Sequence, residues 1–225
     1  MTDKAYVAGV GMVPFQKPGK SESYDVMATA ATRSALADAG LDYDKVQQAY
    51  VGYVYGDSTC GQRALYHVGM TGIPVLNVNN NCSTGSSALF LARQAVESGA
   101  VECALALGFE QMQPGAIGAM FHDRVSPFAA FDRETDELVG SAEIPLALRY
   151  FGGAGKAHMD EFGTPLETFA KIRAKASRHA AKNPVALFRQ EVTAEDVMAA
   201  QVVWPGVMTK LMACPPTCGA AAAII

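Results

Sequence analysis

Short apolar runs alternate with amphipathic segments along the first half of the chain. Four runs are typical of buried strands, because they are short and contain or adjoin glycine or asparagine: AYVAGVG, QAYVGYVYG, IPVLNVN and ECALALGFE. Apolar residues recur at helical spacing from Ser23 to Gly40, in GQRALYHVGM, and again after Cys82. Ser23 is suited to cap the first helix and Gly40 to end it. Strands that alternate with helices predict an α/β fold with a mixed, mainly parallel sheet.

This rhythm breaks after Glu110. Glycine and proline punctuate the next stretch, which predicts loops and short helices. One clear amphipathic helix is expected in PLETFAKIRAKASRHAAKN (165–183), with a basic face formed by Lys171, Arg173, Lys175, Arg178 and Lys182. That face is either solvated or a site for an anionic cofactor tail. Strand character returns in CGAAAAII. We therefore expect a core of residues 1–111, completed by 218–225, with residues 112–217 as an inserted loop domain.

Composition narrows the possible classes of protein. The chain has 225 residues, of which 50% are hydrophobic, enough for one large domain with an insertion. A net charge of −4 argues against a nucleic-acid binder. No apolar run reaches the ~20 residues of a membrane span, and no secretory leader is expected at the N-terminus. These features predict a soluble intracellular protein.

Several motifs are weak candidates for chemistry. The five cysteines are odd in number, so no disulfide framework is expected. Cys214 and Cys218 have no second pair of ligands with zinc-site spacing, so no metal is expected. GVGMVP has two glycines of a dinucleotide fingerprint but Pro14 in place of the third, which argues against a Rossmann cofactor site. The spacing of the acid/base candidates requires no common site, and a structural or surface role is the default; they are Asp57, His67, His122 and Asp123.

Cys82 is the strongest candidate. It stands in NNNCSTGSSA, where a strand ends and a helix is expected to begin at about Ser83. Unpaired N–H groups and the helix dipole stabilise a thiolate at such a position. A thiolate is the nucleophile in covalent acyl transfer, and small neighbours allow a substrate to approach. On placement alone, a packed or capping thiol remains the alternative.

A longer resemblance covers essentially the whole chain. GYVYGDSTCGQRALYHVGMTGIPVLNVNNNCSTGSSALFLARQ resembles the thiolase family, and within it the lipid-transfer type of 3-oxoacyl-CoA thiolase related to sterol carrier proteins. The resemblance continues through ALALGFEQM, GGAGKAHMDEFGTPLETFAKI and CPPTCGAAAAII. It implies the N-terminal half of a thiolase fold, with a five-stranded mixed sheet and an inserted loop domain that helps to bind CoA.

The resemblance also implies a mechanism. The family's nucleophile falls on Cys82, which attacks the 3-keto carbon of 3-oxoacyl-CoA; acetyl-CoA leaves, and CoA then removes the acyl group. CoA is a co-substrate, and no other cofactor is implied. The implied partners are acyl-CoA, CoA, and either a second copy of the chain or a C-terminal thiolase half. The implied location is cytoplasmic, or peroxisomal in a eukaryote.

Two departures from the family pattern bear on activity. The resemblance implies that the Gly-His-Pro motif and the second, proton-carrying cysteine lie in a C-terminal half. We expect this chain to lack that half and therefore to show little turnover alone. Cys218 stands where the family commonly has Asp in Asp-Gly-Ala, which bears on local packing. Two alternatives stay open: a non-catalytic half-thiolase that binds a partner or acyl-CoA, and a component of a thiolase-like aldolase.

Overall fold

The computed structural model describes residues 4–113, 120–140 and 144–225. The helices are α1 (Tyr24–Ala39), α2 (Cys60–Tyr66), α3 (Thr84–Glu97), α4 (Ala129–Val139), α5 (Leu146–Phe162), α6 (Leu166–Ala181) and α7 (Ala194–Ala199). The strands are β1 (Gly9–Met12), β2 (Gln48–Gly52), β3 (Val75–Val78), β4 (Ala104–Glu110), β5 (Val202–Trp204), β6 (Met208–Thr209) and β7 (Gly219–Ile224). Short 3₁₀ helices lie at Tyr43–Lys45, Asn81–Ser83 and Lys210–Met212.

The chain divides into two compact units. The first, which we call the sheet unit, comprises Met1–Pro114 and Pro216–Ile225. The second, the helical unit, is Gly115–Pro215. The chain leaves the sheet after β4 and returns to it at β7, so the helical unit is one continuous stretch of sequence.

The sheet unit contains a five-stranded sheet with the order β1–β7–β4–β2–β3. β2 is parallel to β3 and to β4, whereas β7 is antiparallel to both β4 and β1. Four of these strands therefore point the same way and β7 is reversed, which confirms the expected mixed, mainly parallel sheet. β2 ends at Gly52, earlier than the apolar run QAYVGYVYG suggested, so residues 53–56 leave the sheet.

Alternate residues along the strands enter two separate hydrophobic cores. Val51 and Leu105 pack into the core that contains the buried faces of α1 and α2. Tyr50 and Ala106 pack into the core that contains α3. Because successive strand residues point to opposite faces, helices cover the sheet on both sides.

The glycines of GVGMVP serve close packing. A Cβ on Gly9 would lie 2.4 Å from the backbone N of Ala39, and a Cβ on Gly11 would lie 2.3 Å from the carbonyl O of Ala31. Both distances are too short for any side chain, so the two glycines allow α1 to lie directly on β1. α1 ends as expected at Gly40, which has a φ of 65°. Ser23 occupies the N-cap position but donates its hydroxyl to Asp25 Oδ1 instead of capping the helix.

Cys218 is fully buried just before β7. Its backbone exchanges two hydrogen bonds with Gln16, at 2.8 and 3.0 Å, and its Sγ lies 3.5 Å from the carbonyl O of Met112. The small thiol is therefore packed at a position where an aspartate would bury a charge.

The helical unit differs from the predicted loop-rich segment with short helices. α6 was expected, but α5 was not, and it runs for 17 residues through Gly152, Gly153 and Gly155. A Cβ on Gly152 would lie 2.9 Å from Cε3 of Trp204, so the tryptophan ring packs where a side chain would otherwise stand. None of the helices in the described part of the chain is long and apolar enough to cross a membrane.

Candidate active site around Cys82

Cys82 lies on a tight turn between β3 and α3. The turn is the 3₁₀ helix Asn81–Ser83, and α3 begins at Thr84, one residue later than expected. Asn81 has a φ of 47°, in the left-handed region that asparagine tolerates better than most residues. The turn projects Cys82 outward, and the residue is exposed.

The polar residues around Cys82 hold this turn together. The backbone N–H of Asn80 donates to Thr84 Oγ1 at 2.8 Å, and the Thr84 hydroxyl donates to the carbonyl of Asn81 at 2.6 Å. Ser83 Oγ donates to the carbonyl of Asn80, and Asn80 Nδ2 donates to Ser87 Oγ. Polar side chains of NNNCSTGSS therefore form hydrogen bonds with backbone groups that a tight turn leaves unpaired.

Two glycines bring the start of α3 onto the sheet. Gly52 of β2 and Gly108 of β4 are directly paired across the two strands. A Cβ on Gly52 would lie 2.7 Å from Thr84 Cγ2, and a Cβ on Gly108 would lie 3.5 Å from the Cα of Gly85. The start of α3, which follows Cys82, therefore packs directly against the backbone of two glycines, Gly52 and Gly108.

Glu110 and Tyr55 lie at the same edge of the sheet. Glu110 ends β4, and its carboxylate accepts the backbone N–H of Val54 at 3.0 Å and that of Tyr55 at 3.1 Å. Burial raises the pKa of Glu110, although these hydrogen bonds oppose the shift. Burial also raises the pKa of the Tyr55 hydroxyl, and the negative charges of Glu110 and Cys82 raise it further.

Tyr55 also lines a pocket of about 430 Å³ at this edge. The pocket is bounded by Tyr24, Cys60, Arg63 and Gln111, and by the loop 55–59. Burial, followed by a hydrogen bond with Cys60, raises the pKa of Tyr24 to about 12. Both tyrosines thus keep their protons at neutral pH and can act as hydrogen-bond donors.

The other acid/base candidates line a pocket or lie at the surface. Asp57 lines the pocket, where its carbonyl O accepts the Tyr53 hydroxyl. His67 lies 3.3 Å from Asp25 Oδ2 on the surface between α1 and α2. His122 is exposed, and Asp123 forms an exposed ion pair with Arg124; both belong to the helical unit. The described residues contain no group of three or more His, Cys, Asp or Glu that could hold a metal ion.

The basic face of α6 is only partly available to a ligand. Arg173 Nε donates to the carbonyl of Leu211, and Lys171 forms an ion pair with Glu167. Lys171 and Arg178 also share a pocket of about 400 Å³ with Glu191 and Glu195, which offset their charge. The remaining basic residues of this face, Lys175 and Lys182, are exposed.

Tyr55 and Glu110 were missed by the sequence analysis. They are far apart in the sequence, and the expected extension of β2 to Gly56 placed Tyr55 inside the sheet. Their positions relative to the strands could have indicated them: Tyr55 follows β2 and Glu110 ends β4. The carboxyl ends of neighbouring parallel strands lie at one edge of a sheet, so the two residues could be expected close together.

The chain is similar to known proteins in both sequence and fold. A family profile described as "Thiolase, N-terminal domain" matches residues 5–203. Sterol carrier protein 2 from Homo sapiens is 50% identical over 228 residues, which cover 99% of this chain and 41% of that protein. The chain thus spans less than half the length of this relative.

Two solved structures share the fold. The Ltp2-ChsH2(DUF35) aldolase has a TM-score of 0.77 at 20% identity, covering 98% of this chain and 55% of that chain. The dimeric peroxisomal thiolase of Saccharomyces cerevisiae has a TM-score of 0.71 at 16% identity, covering 100% of this chain and 64% of that chain. With the profile match over most of the sequence, these observations lead to one conclusion: the chain belongs to the thiolase family and corresponds to its N-terminal domain.

Proposed function

We propose that Cys82 is the acyl-accepting nucleophile of a thiolase-type acyltransferase that cleaves 3-oxoacyl-CoA. The observation that carries this proposal is the exposed position of Cys82 on the turn before α3. A thiol near a helix N-terminus is favoured in its thiolate form, and an exposed thiolate is accessible to a thioester substrate. Membership of the thiolase family supports the assignment of this chemistry.

The reaction proceeds in two steps. The Cys82 thiolate attacks the C3 carbonyl, the C2–C3 bond breaks, and the electron pair stays on C2 as the enolate of acetyl-CoA, which takes a proton. The thiolate of free CoA then attacks the acyl-cysteine, forms the shortened acyl-CoA and releases the Cys82 thiolate. Both steps develop negative charge on a carbonyl oxygen, and loss of one oxyanion donor typically costs about 10²–10³ in rate.

The test is transfer of the acetyl group from acetyl-CoA to the protein, followed by mass spectrometry of the intact chain and its peptides. We expect acetylation at Cys82, with release of free CoA. Cys82→Ser should lose it, whereas Cys214→Ser, which removes another exposed cysteine, should keep it. Acetyl groups on Cys214 in preference to Cys82 would contradict the proposal.

Full turnover is proposed to require a C-terminal thiolase half, which by the resemblance supplies the other oxyanion donors and the proton carrier. We expect slow acylation by this chain alone. Addition of such a half, as a separate polypeptide or a fusion, should restore turnover, measured by loss of the enolate absorbance of 3-oxoacyl-CoA in the presence of CoA. Cys82→Ala should abolish the restored activity. Robust turnover by the chain alone would show that it builds its own oxyanion hole.

An aldolase component is the second candidate, because the chain shares its fold with the Ltp2-ChsH2(DUF35) aldolase. Aldol cleavage proceeds without an acyl-cysteine, so retained cleavage in Cys82→Ser would favour this candidate. A non-catalytic acyl-CoA-binding subunit would bind acyl-CoA and leave Cys82 unmodified. The first outcome is read from the cleavage assay of Cys82→Ser. The second is read from acyl-CoA binding together with an unmodified Cys82 in the mass spectra.

We also propose self-association through β3. This strand ends the sheet, and its Leu76 is 43% exposed. Strand edges of this kind pair readily with a second chain. Light scattering at tens of micromolar should show dimers or larger species, and Leu76→Lys should shift them towards monomers, because like charges would meet at a two-fold contact. A sharp monomer peak for the unchanged chain would contradict self-association.

A further inference from the structure

Glu110 connects the end of β4 to the loop after β2, at the carboxyl edge of the sheet, and the reaction above does not use this connection. Its two carboxylate oxygens accept separate N–H groups, those of Val54 and Tyr55. These two residues follow β2 directly, at the point where the chain turns away from the sheet. A single side chain on β4 therefore fixes the start of the loop after β2.

The loop that Glu110 holds carries Tyr55, whose hydroxyl can donate a hydrogen bond at this edge of the sheet. Tyr55 follows β2, Cys82 follows β3 and Glu110 ends β4. Because β2 lies between the other two strands and is parallel to both, the three residues lie at the same carboxyl edge of the sheet. A phenol that keeps its proton is a hydrogen-bond donor. It can stabilise either the thiolate or the negative oxygen that forms when the thiolate attacks a carbonyl.

We infer that Glu110 is a positioning residue, which holds the loop after β2 so that the Tyr55 hydroxyl donates a hydrogen bond at the Cys82 site. The inference rests on the proposed role of Cys82 and adds to it a donor supplied by this chain itself. Donors that are fixed before the reaction are the effective ones, because they do not need to reorganise as charge develops.

The experiment is a double-mutant cycle on the rate constant for acetylation of Cys82 by acetyl-CoA. Glu110→Gln keeps the size of the side chain but replaces one acceptor oxygen with an NH₂ group, which cannot accept an N–H. Tyr55→Phe removes the hydroxyl alone. We expect each change to slow acetylation by about 10²-fold, which is the lower end of the effect of one oxyanion donor. The double variant should be no slower than the slower single variant, because both changes remove the same hydrogen bond.

Glu97→Gln is the matched control, because Glu97 forms an ion pair with Arg93 within α3. It should leave the rate unchanged. Hydrogen exchange should show lost protection at residues 53–56 in Glu110→Gln and unchanged protection in Glu97→Gln. Effects of Glu110→Gln and Tyr55→Phe that multiply, or a rate in Glu110→Gln equal to that of the control, would overturn the inference.

Two further measurements separate this inference from the proposed function. If Cys82 of the unchanged chain takes no acetyl group, the proposed function fails. The same double-mutant cycle is then measured on the rate of Cys82 alkylation by iodoacetamide, which requires no acyl transfer. The coupling between Glu110 and Tyr55 must still appear in these rates. If Glu110→Gln unfolds, as judged by circular dichroism, the Tyr55→Phe variant decides: an unchanged rate for Cys82 overturns the inference.

Discussion

The sheet unit and the helical unit both use glycine for packing, but at different kinds of position. In the sheet unit, Gly11 and Gly52 lie in strands and face the backbone or side chains of a helix on the sheet. In the helical unit, Gly152 lies inside α5 and faces the ring of Trp204. A glycine in a strand leaves the apolar pattern around it intact. Three closely spaced glycines inside a helix, in contrast, give a sequence that resembles a loop. This difference explains why the first unit was easier to predict.

The largest expected effect compares the same substitution in the two units. A Cβ on Gly52 would meet Thr84 Cγ2 at 2.7 Å and the Thr84 carbonyl O at 2.9 Å, so the backbone of α3 has to move. Overpacking of this kind costs about 1–3 kcal/mol. A Cβ on Gly152 meets only side-chain atoms, the nearest on the Trp204 ring, which is not fully buried. Alanine also regains about 1 kcal/mol of helix propensity there.

Urea denaturation should therefore show a clear loss of unfolding free energy for Gly52→Ala and a change close to zero for Gly152→Ala. Gly85→Ala is the control near Cys82, because a Cβ on Gly85 has no atom within 4 Å. Equal losses for Gly52→Ala and Gly152→Ala would show that the Trp204 ring is held as rigidly as the backbone of α3.

The predictable part of the fold follows from simple periodicities. The five strands of the main sheet, α1 and α3 were predicted because sheet and helix packing imposes repeats on apolar residues, and Gly40 marks its helix end with a positive φ. The short strands β5 and β6 were not predicted. α5 was not predicted because it contains three glycines, and glycine is also the residue typical of turns. The end of β2 was missed because Tyr53 is buried beyond the last paired residue, which extends the apolar run without extending the strand.

The candidate site also has a part that the sequence indicates and a part that it does not. Cys82 was a candidate from the sequence because a strand, a polar turn and a helix surround it within a few residues. Tyr55 and Glu110 were not, because a hydrogen bond between residues 55 positions apart leaves no local pattern in the sequence. Contacts at the carboxyl edge of a sheet depend on strand order, which periodicity alone does not determine.

The second prediction compares one exposed cysteine from each unit. Cys82 precedes α3 in the sheet unit, whereas Cys214 lies outside any helix in the helical unit. A thiol at a helix N-terminus carries more thiolate at neutral pH than a thiol elsewhere, so Cys82 should react with limiting iodoacetamide about tenfold faster. Mass spectrometry of the peptides measures the ratio. Faster labelling of Cys214 would mean that the turn at Cys82 does not activate its thiol.

The smallest effect concerns charge, and it tests whether the helical unit carries a ligand-binding role of its own. Lys175 of α6 and Lys182, which directly follows the helix, are exposed basic residues that share neither the pocket with Glu191 and Glu195 nor the ion pair with Glu167. They are seven residues apart and so lie on one face of the helix. The phosphates of CoA are anionic, and this face should attract them weakly, with an affinity that falls as salt screens the charges.

Calorimetry with CoA should show binding at low salt that weakens at high salt, and Lys175→Ala with Lys182→Ala should reduce the affinity by a few-fold. Each exposed charge contributes at most about 1 kcal/mol. Lys45→Ala is the counterpart in the sheet unit, where the exposed lysine is paired with Asp44, and it should leave the affinity unchanged. If the folded chain binds no CoA at low salt, the basic face of α6 is a solvated helix surface. If Lys45→Ala weakens binding as much as the α6 changes do, CoA is attracted by net charge and not by this face.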